Sequence, residues 1–210
     1  MASANDNNLT KHLDVFKEIG NIGAGNAASA LAGLLNRKIT MTVPDASAVP
    51  FRDIVGLLDG PETLVYGILV DVHGDLNGYI LLCLGMQDAM AMVAQALEEP
   101  VRDASSPGFK LTELEQDALS EIVNILVGSF LSAISSFTGL SVRPSVPQMA
   151  IDMLGAIISI ATIEYGMIGD TVLFLKTQFN DLEGDISGHF FLIPDYNSYK
   201  ILLNALGLEG

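Results

Sequence analysis

Cysteine is almost absent: Cys83 is the single one among 210 residues. That excludes an internal disulfide and any metal site built from several thiolates. In the apolar run YILLCL, Cys83 reads as a small core hydrophobe rather than a reactive thiol. Histidine is nearly as scarce. His12, His73 and His189 fall in different predicted elements with no ligand spacing, so no zinc site and no metal of the chain's own is expected. No Ser/His/Asp or Cys/His set suggests nucleophilic catalysis. Basic side chains are also few. Ten Lys and Arg stand against 25 Asp and Glu, a formal charge of −15. This argues against nucleic acid and anionic membrane, whose phosphates need cations, and is compatible with a partner presenting a lysine or a positive rim. The most apolar stretch, Leu154 to Ile163, is far short of the ~20 residues that span a bilayer. The opening MASANDNN has neither a basic region nor an apolar run, so no signal peptide is expected. The reading is a cytoplasmic chain without membrane insertion.

Hydrophobic residues, at 50%, are what the chain does have, enough for a substantial core. Residues 1 to 8 are polar and expected to be frayed, and Thr10 is the expected N-cap of a helix running to about Leu35, with Asn36 as its stop. Lys38 to Val43 alternates as a strand. After Pro44, DASAVPF reads as a turn and a short extended piece, and RDIVGLL (52–58) as a short helix. Asp59-Gly60 and Asp75 read as turn residues. Glu62 to Val72 and Gly78 to Leu84 are predicted strands joined by a hairpin turn, HGDLN. Gln87 to Glu99 is a helix with its methionines mostly buried. Residues 100–110 (PVRDASSPGFK) form the clearest linker.

Thr112 and Glu115 then make a capping box for a second long helix, which ends at Gly139. A strand through Pro147 follows, then the apolar segment 149–164. A strand pair, 171–178 and 188–193, encloses a turn at 184–188, and a helix over 197–206 closes the chain. That turn, GDISG, echoes GDLNG at 74–78 with an offset of 110.

The two long helices repeat one another. A shift of 103 positions brings Asp14 onto Asp117, Glu18 onto Glu121, Asn21 onto Asn124, Gly25 onto Gly128 and Ser29 onto Ser132. It also brings Val43-Pro44 onto Val146-Pro147. The spacing places each polar set on one helix face, opposite an apolar stripe of Phe16, Ile19, Gly23, Ala27, Ala30 and Leu34 in the first copy. In the second copy the stripe is Leu119, Ile122, Leu126, Phe130, Ala133 and Phe137. The stripe is kept in kind but not in size; the polar face is kept in identity. Burial asks only for hydrophobic residues of suitable volume, so it does not explain so literal a repeat of the wet side. The expected fold is α/β: one internally duplicated, pseudo-twofold domain over 1–210, with a central six-stranded sheet flanked by long helices. Its repeats are 9–99 and 111–210.

Glu18/Asn21 and Glu121/Asn124 are therefore the candidate site residues. GNIGAG does not match the dinucleotide-binding glycine pattern and follows no strand. An amide is no strong base, but it can donate to one group and accept from a water, fixing that water in line with an electrophile. Phosphoryl transfer needs such positioning more than it needs a base. A carboxylate one turn away can grip a lysine on a phosphorylated partner. Gly25 and Gly128 would admit the partner's loop close to the helix.

The pattern Asp-x3-Glu-x2-Asn-x22-Pro, present as Asp14, Glu18, Asn21, Pro44 and again as Asp117, Glu121, Asn124, Pro147, resembles the motif of the CheC family of chemotaxis phosphatases. The resemblance spans nearly the whole chain. It implies hydrolysis of the aspartyl phosphate of the response regulator CheY, with Asn orienting the water, Glu pairing with a regulator lysine, and Mg²⁺ bound by CheY. It also implies that the chain binds and restrains the receptor deamidase CheD, and that it is a monomer when alone. Asp14, Asp117, Pro44 and Pro147 would be supporting residues: a helix-surface contact and a strand-positioning turn. The segment around Asp152 to Ile163 is a candidate CheD surface, weighed against buried core. The alternative of another class is a non-catalytic module of the chemotaxis or flagellar switch that only binds CheD or CheY. Intact Glu and Asn in both copies favour the enzyme.

Overall fold

The computed structural model describes residues 2–36, 38–50, 53, 56, 60–104, 109–165, 171–180 and 185–208. Its elements are α1 (Ala2–Leu35), β1 (Thr40–Pro50), β2 (Leu64–Gly74), β3 (Gly78–Gly85), α2 (Met86–Leu97) and α3 (Glu113–Thr138). They continue with β4 (Val142–Pro144), β5 (Gln148–Met153), α4 (Leu154–Tyr165), β6 (Thr171–Asn180), β7 (Asp185–Pro194) and α5 (Tyr196–Ala205). The predicted helix over 52–58 lies outside the described residues, apart from Asp53 and Gly56.

The strands form one antiparallel sheet in the order β1-β6-β7-β3-β2-β4, with β5 also paired to β2. Among the described residues that makes seven strands rather than the expected six. The strand expected to pass through Pro147 is broken there into β4 and β5, because proline has no N–H to give the ladder. β1 meets the same problem at Pro44 and solves it differently. It runs on to Pro50 with a bulge between Thr42 and Asp45, where a turn was expected. Both are edge strands, where proline is tolerated; β1 carries Pro44 in a two-residue bulge and stays in the ladder, whereas the opposite edge leaves the ladder between Pro144 and Gln148.

Strand alternation puts apolar side chains on both faces of the sheet, which explains the unbroken run Ile80 to Leu84. One face, with Ile68, Ile80, Leu82, Leu175 and Phe190, packs under α1, α2 and α3. The other, with Val65, Leu81, Cys83, Phe174 and Phe191, packs under Leu154, Ile157 and Ile158 of α4. The helix α4 sits so low that a Cβ on Gly67 would come within 2.9 Å of Ile157. Burial pushes the Cys83 thiol up to about 12, as suits an inert core residue.

The centre of the sheet is symmetric. In the β3–β7 ladder Leu81 pairs with Phe191, two residues 110 apart. The pairs Gly78–Pro194 and Leu84–Gly188 exchange under the same offset. The turns behave less alike. β7 begins at Asp185, paired to Asn180, so 185–188 is strand and not turn. In the first hairpin the ladder stops at Val72–Gly78. There Asp75 is drawn aside by Ser141, its N–H donating to the Ser141 carbonyl (2.8 Å) and its carboxylate accepting from the Ser141 N–H (2.8 Å).

α1 starts at Ala2, eight residues before the expected cap at Thr10. Residues 2–10 contain neither proline nor glycine, so nothing in them breaks the helix. Both expected stops are as read: Asn36 and Gly139 adopt left-handed backbone, φ 49° and 72°. Ala30, Leu34 and Phe137, assigned to the buried stripes, are exposed, each toward the end of its helix. The apolar segment 154–163 is α4, of 12 residues. Among the described helices, α3 is the one long and apolar enough to cross a membrane by length and composition, and half of its apolar window is buried.

Candidate functional site

α1 and α3 cross at close range because small residues of one face large residues of the other. A Cβ on Gly23 would stand 3.0 Å from Phe130 Cα, and Ala24 and Ala27 are fully buried. The equivalents of Gly23 and Ala27 in α3 are Leu126 and Phe130, so the pseudo-symmetric core is filled asymmetrically. Packing through these residues turns the polar faces outward. Asp14, Glu18 and Gly25 are exposed on α1, and Asp117, Glu121 and Asn124 on α3, with Asn21 and Gly128 half-buried.

The two faces form two separate sites, one toward each edge of the sheet. The Val43 N–H, in the bulge of edge strand β1, donates to Asn21 Oδ1 at 2.9 Å. At the opposite edge, Ser120 Oγ, one turn before Asn124, lies 3.7 Å from Met149 Sδ on β5. Within each site the Glu and Asn are three residues apart, neighbours on the helix surface.

The sites differ at their asparagines. A backbone N–H can only donate, so the Val43 contact fixes the Asn21 carboxamide with its oxygen toward the strand. In the second copy the strand turns the other way. Ser145 closes on β2, its N–H donating to the Asp71 carbonyl (2.8 Å) and its Oγ accepting from the Asp71 N–H (3.0 Å). Val146 is left 84% exposed where its counterpart Val43 is 1% exposed. Among the described residues, the side chains of Asn124, Glu18 and Glu121 have no hydrogen-bond or ion-pair partner.

Of the supporting residues, Asp14 and Asp117 are exposed and likewise without a partner among the described residues. Pro44 sits in the β1 bulge, and Pro147 in the gap between β4 and β5. The contribution of the Val43 main chain is not legible from side-chain identity. Its signal in the sequence was the repetition of Val-Pro at a fixed distance behind each Asn. Among the described residues no group of three or more His, Cys, Asp or Glu could hold a metal ion. Among the described residues, each face offers a carboxamide with a free glutamate carboxylate beside it, and a second free carboxylate, Asp14 or Asp117, one turn further back. It can grip a cation and position a polar molecule, but it supplies no strong nucleophile.

A profile of the CheC-like family matches the chain twice, over residues 12–47 and 114–151, once on each copy of the repeated helix. The CheY-P phosphatase CheC of Bacillus subtilis (strain 168) is 36% identical over 199 residues, 94% of either chain. The flagellar motor switch phosphatase FliY of the same organism is 29% identical over 175 residues, covering 82% of this chain and 43% of FliY. The crystal structure of Thermotoga maritima FliY superposes with a TM-score of 0.73 at 19% identity, covering 94% of this chain and 96% of that one, a likeness of fold. Built on the same sheet, with the family pattern present twice and a relative matched nearly end to end, the chain belongs to the CheC-like family.

Proposed function

We infer that this protein hydrolyses the aspartyl phosphate of a CheY-type response regulator. The observation that carries the reading is the doubled Glu/Asn pair, displayed on two helix faces turned away from the core, with Asn21 alone touching a strand of this chain. The activity named for the 36%-identical Bacillus relative supports it. In this reading Asn21 or Asn124 enters the regulator's active site and holds a water in line with phosphorus. The water oxygen bonds to phosphorus as the P–O bond to the aspartate breaks. The carboxylate leaves with the bonding pair, and the water's protons pass to phosphate oxygens and solvent. Glu18 or Glu121 pairs with a lysine of the regulator, which also binds the Mg²⁺ that offsets charge on the phosphoryl oxygens. Net acidity suits a partner that presents that lysine. Binding and restraint of the deamidase CheD, and a monomeric state alone, complete the proposal on family grounds.

The test is the rate of regulator dephosphorylation with wild type, each Asn→Ala variant and the double variant Asn21→Ala/Asn124→Ala. Loss of water positioning should cost on the order of 10²-fold at each site, about 2.7 kcal/mol of barrier. The double variant should therefore approach the regulator's intrinsic decay while keeping its fold. Undiminished acceleration by the double variant would leave only the alternative, a module that binds without catalysing.

A further inference from the structure

Gly25 and Gly128 stand one helical turn past Asn21 and Asn124, 40° round the helix axis and so on the same face. Both lie well inside long helices, where glycine is a poor choice: it weakens a helix relative to alanine. Helical glycine usually answers one of two needs, a left-handed backbone or a close neighbour. Gly20 and Gly23 of α1 show the second, since added Cβ atoms would come within 3.3 Å of Val43 Cγ2 and 3.0 Å of Phe130 Cα. Neither need exists at Gly25 or Gly128. Beyond the adjoining turns of its own helix, no atom of the described residues lies within 4 Å of a Cβ built at either position, and neither has positive φ. The next residue along the first strip keeps low as well: Ser29 Oγ folds back to donate to the Gly25 carbonyl at 2.9 Å.

We propose that Gly25 and Gly128 are positioning residues that set how deeply Asn21 and Asn124 reach into the partner. The bare helix backbone at each site receives main chain of the regulator loop flanking the phosphoaspartate, closer than any side chain would permit. This rests on the phosphatase reading above. The cost to helix stability is borne at both sites because the room is used between molecules, not within this one. A Cβ there would hold the partner off, and a displacement of about 1 Å at a positioned group is enough to lose 10²-fold.

The experiment compares wild type, Gly25→Ala/Gly128→Ala, Asn21→Ala/Asn124→Ala and Gly33→Ala, timing the decay of a CheY-type regulator charged by a small phosphodonor and recording thermal midpoints. Gly33 is a control: its added Cβ also meets nothing, but it lies about 120° round from Asn21. The Gly25/Gly128 variant should melt roughly 2–4 °C higher per substitution, yet lose about 10- to 100-fold in kcat/KM. Gly33→Ala should keep full activity. Opposite movement of stability and activity is what a packing role would not produce. A Gly25/Gly128 variant with wild-type kcat/KM, beside an inactive Asn variant, overturns this inference alone. A variant that loses stability together with activity assigns the glycines to packing and overturns it too. Full activity in the Asn variant removes the phosphatase reading and this inference with it.

Discussion

At the scale of single residues the two asparagines are not equivalent, although their sequence surroundings are nearly the same. To present its oxygen to a water, Asn21 must release or share the Val43 N–H, a hydrogen bond worth about 1 kcal/mol net. Asn124 has no such tie among the described residues. The expected outcome is unequal single variants. Asn124→Ala should remove the larger part of the stimulated dephosphorylation, with the second site outperforming the first by about fivefold, the ratio that 1 kcal/mol sets. Steady-state kinetics on both single variants check this. Equal losses would mean that the Val43 contact orients Asn21 without hindering it.

At the scale of elements, what the sequence made legible depended on how local each cause was. The capping box of α3 is present as read, because Thr112 and Glu115 need only each other: Thr112 N–H donates to Glu115 at 2.6 Å, and Glu115 N–H to Thr112 Oγ1 at 3.3 Å. The extent of β1 was misread because Pro44 ends a strand only if it must take a place in the ladder, and the bulge that excuses it is set by pairing with β6, a tertiary fact. Equally invisible was the clasp that closes on the capping box from the linker. Arg102 Nη1 lies 2.6 and 2.5 Å from the two Glu115 carboxylate oxygens, with its guanidinium 4.9 Å from the Phe109 ring centroid. Burial alone would raise the Glu115 pKa. The Thr112 N–H, Arg102 and the Thr112 hydroxyl together outweigh it and hold the carboxyl below the usual glutamate value. A carboxylate depressed in the folded state stabilises the protein above its unfolded pKa, and that contribution fades as pH falls through the folded value. Glu115→Gln should therefore cost about 2 kcal/mol at pH 7. The gap from wild type should narrow as pH drops below about 4, the ordinary glutamate range. Denaturant titrations of both proteins at a series of pH values measure it, and a gap independent of pH would remove charge from the account.

At the scale of the whole molecule, the halves expected from the sequence are topologically incomplete. Among the described residues, β1, from the first half, pairs only with β6 of the second; β4 and β5, from the second, pair only with β2 of the first. The sheet is thus closed at both edges by exchanged strands and joined in the middle by β3 and β7. Two further bonds tie the halves at matching positions: Asn77 N–H donates to Ser198 Oγ at 2.7 Å, and Ser187 N–H to the Asp88 carboxylate. The repeated motifs announced two similar units, but nothing in a strand's own pattern names its partner, so the exchange could not be read in advance. It has a consequence for stability. A segment ending at Ala104 would hold β1, β2 and β3 with β1 deprived of its only ladder, and its apolar sheet faces would lack α3 and α4. Each segment alone should show no cooperative thermal transition, since about 100 residues bury too little surface when their edge strands and the partner of each long helix lie in the other segment. Produced together, residues 1–104 and 105–210 should copurify as a one-to-one complex with a single unfolding transition, because every strand pairing is restored. Each proposed catalytic face would reform as well, since α1 and α3 come from different segments and each needs the other's core to turn its Glu and Asn outward. Regulator dephosphorylation should return with the complex and be absent from either segment; an independently folded, active half would show instead that the exchanged edge strands contribute nothing to either site.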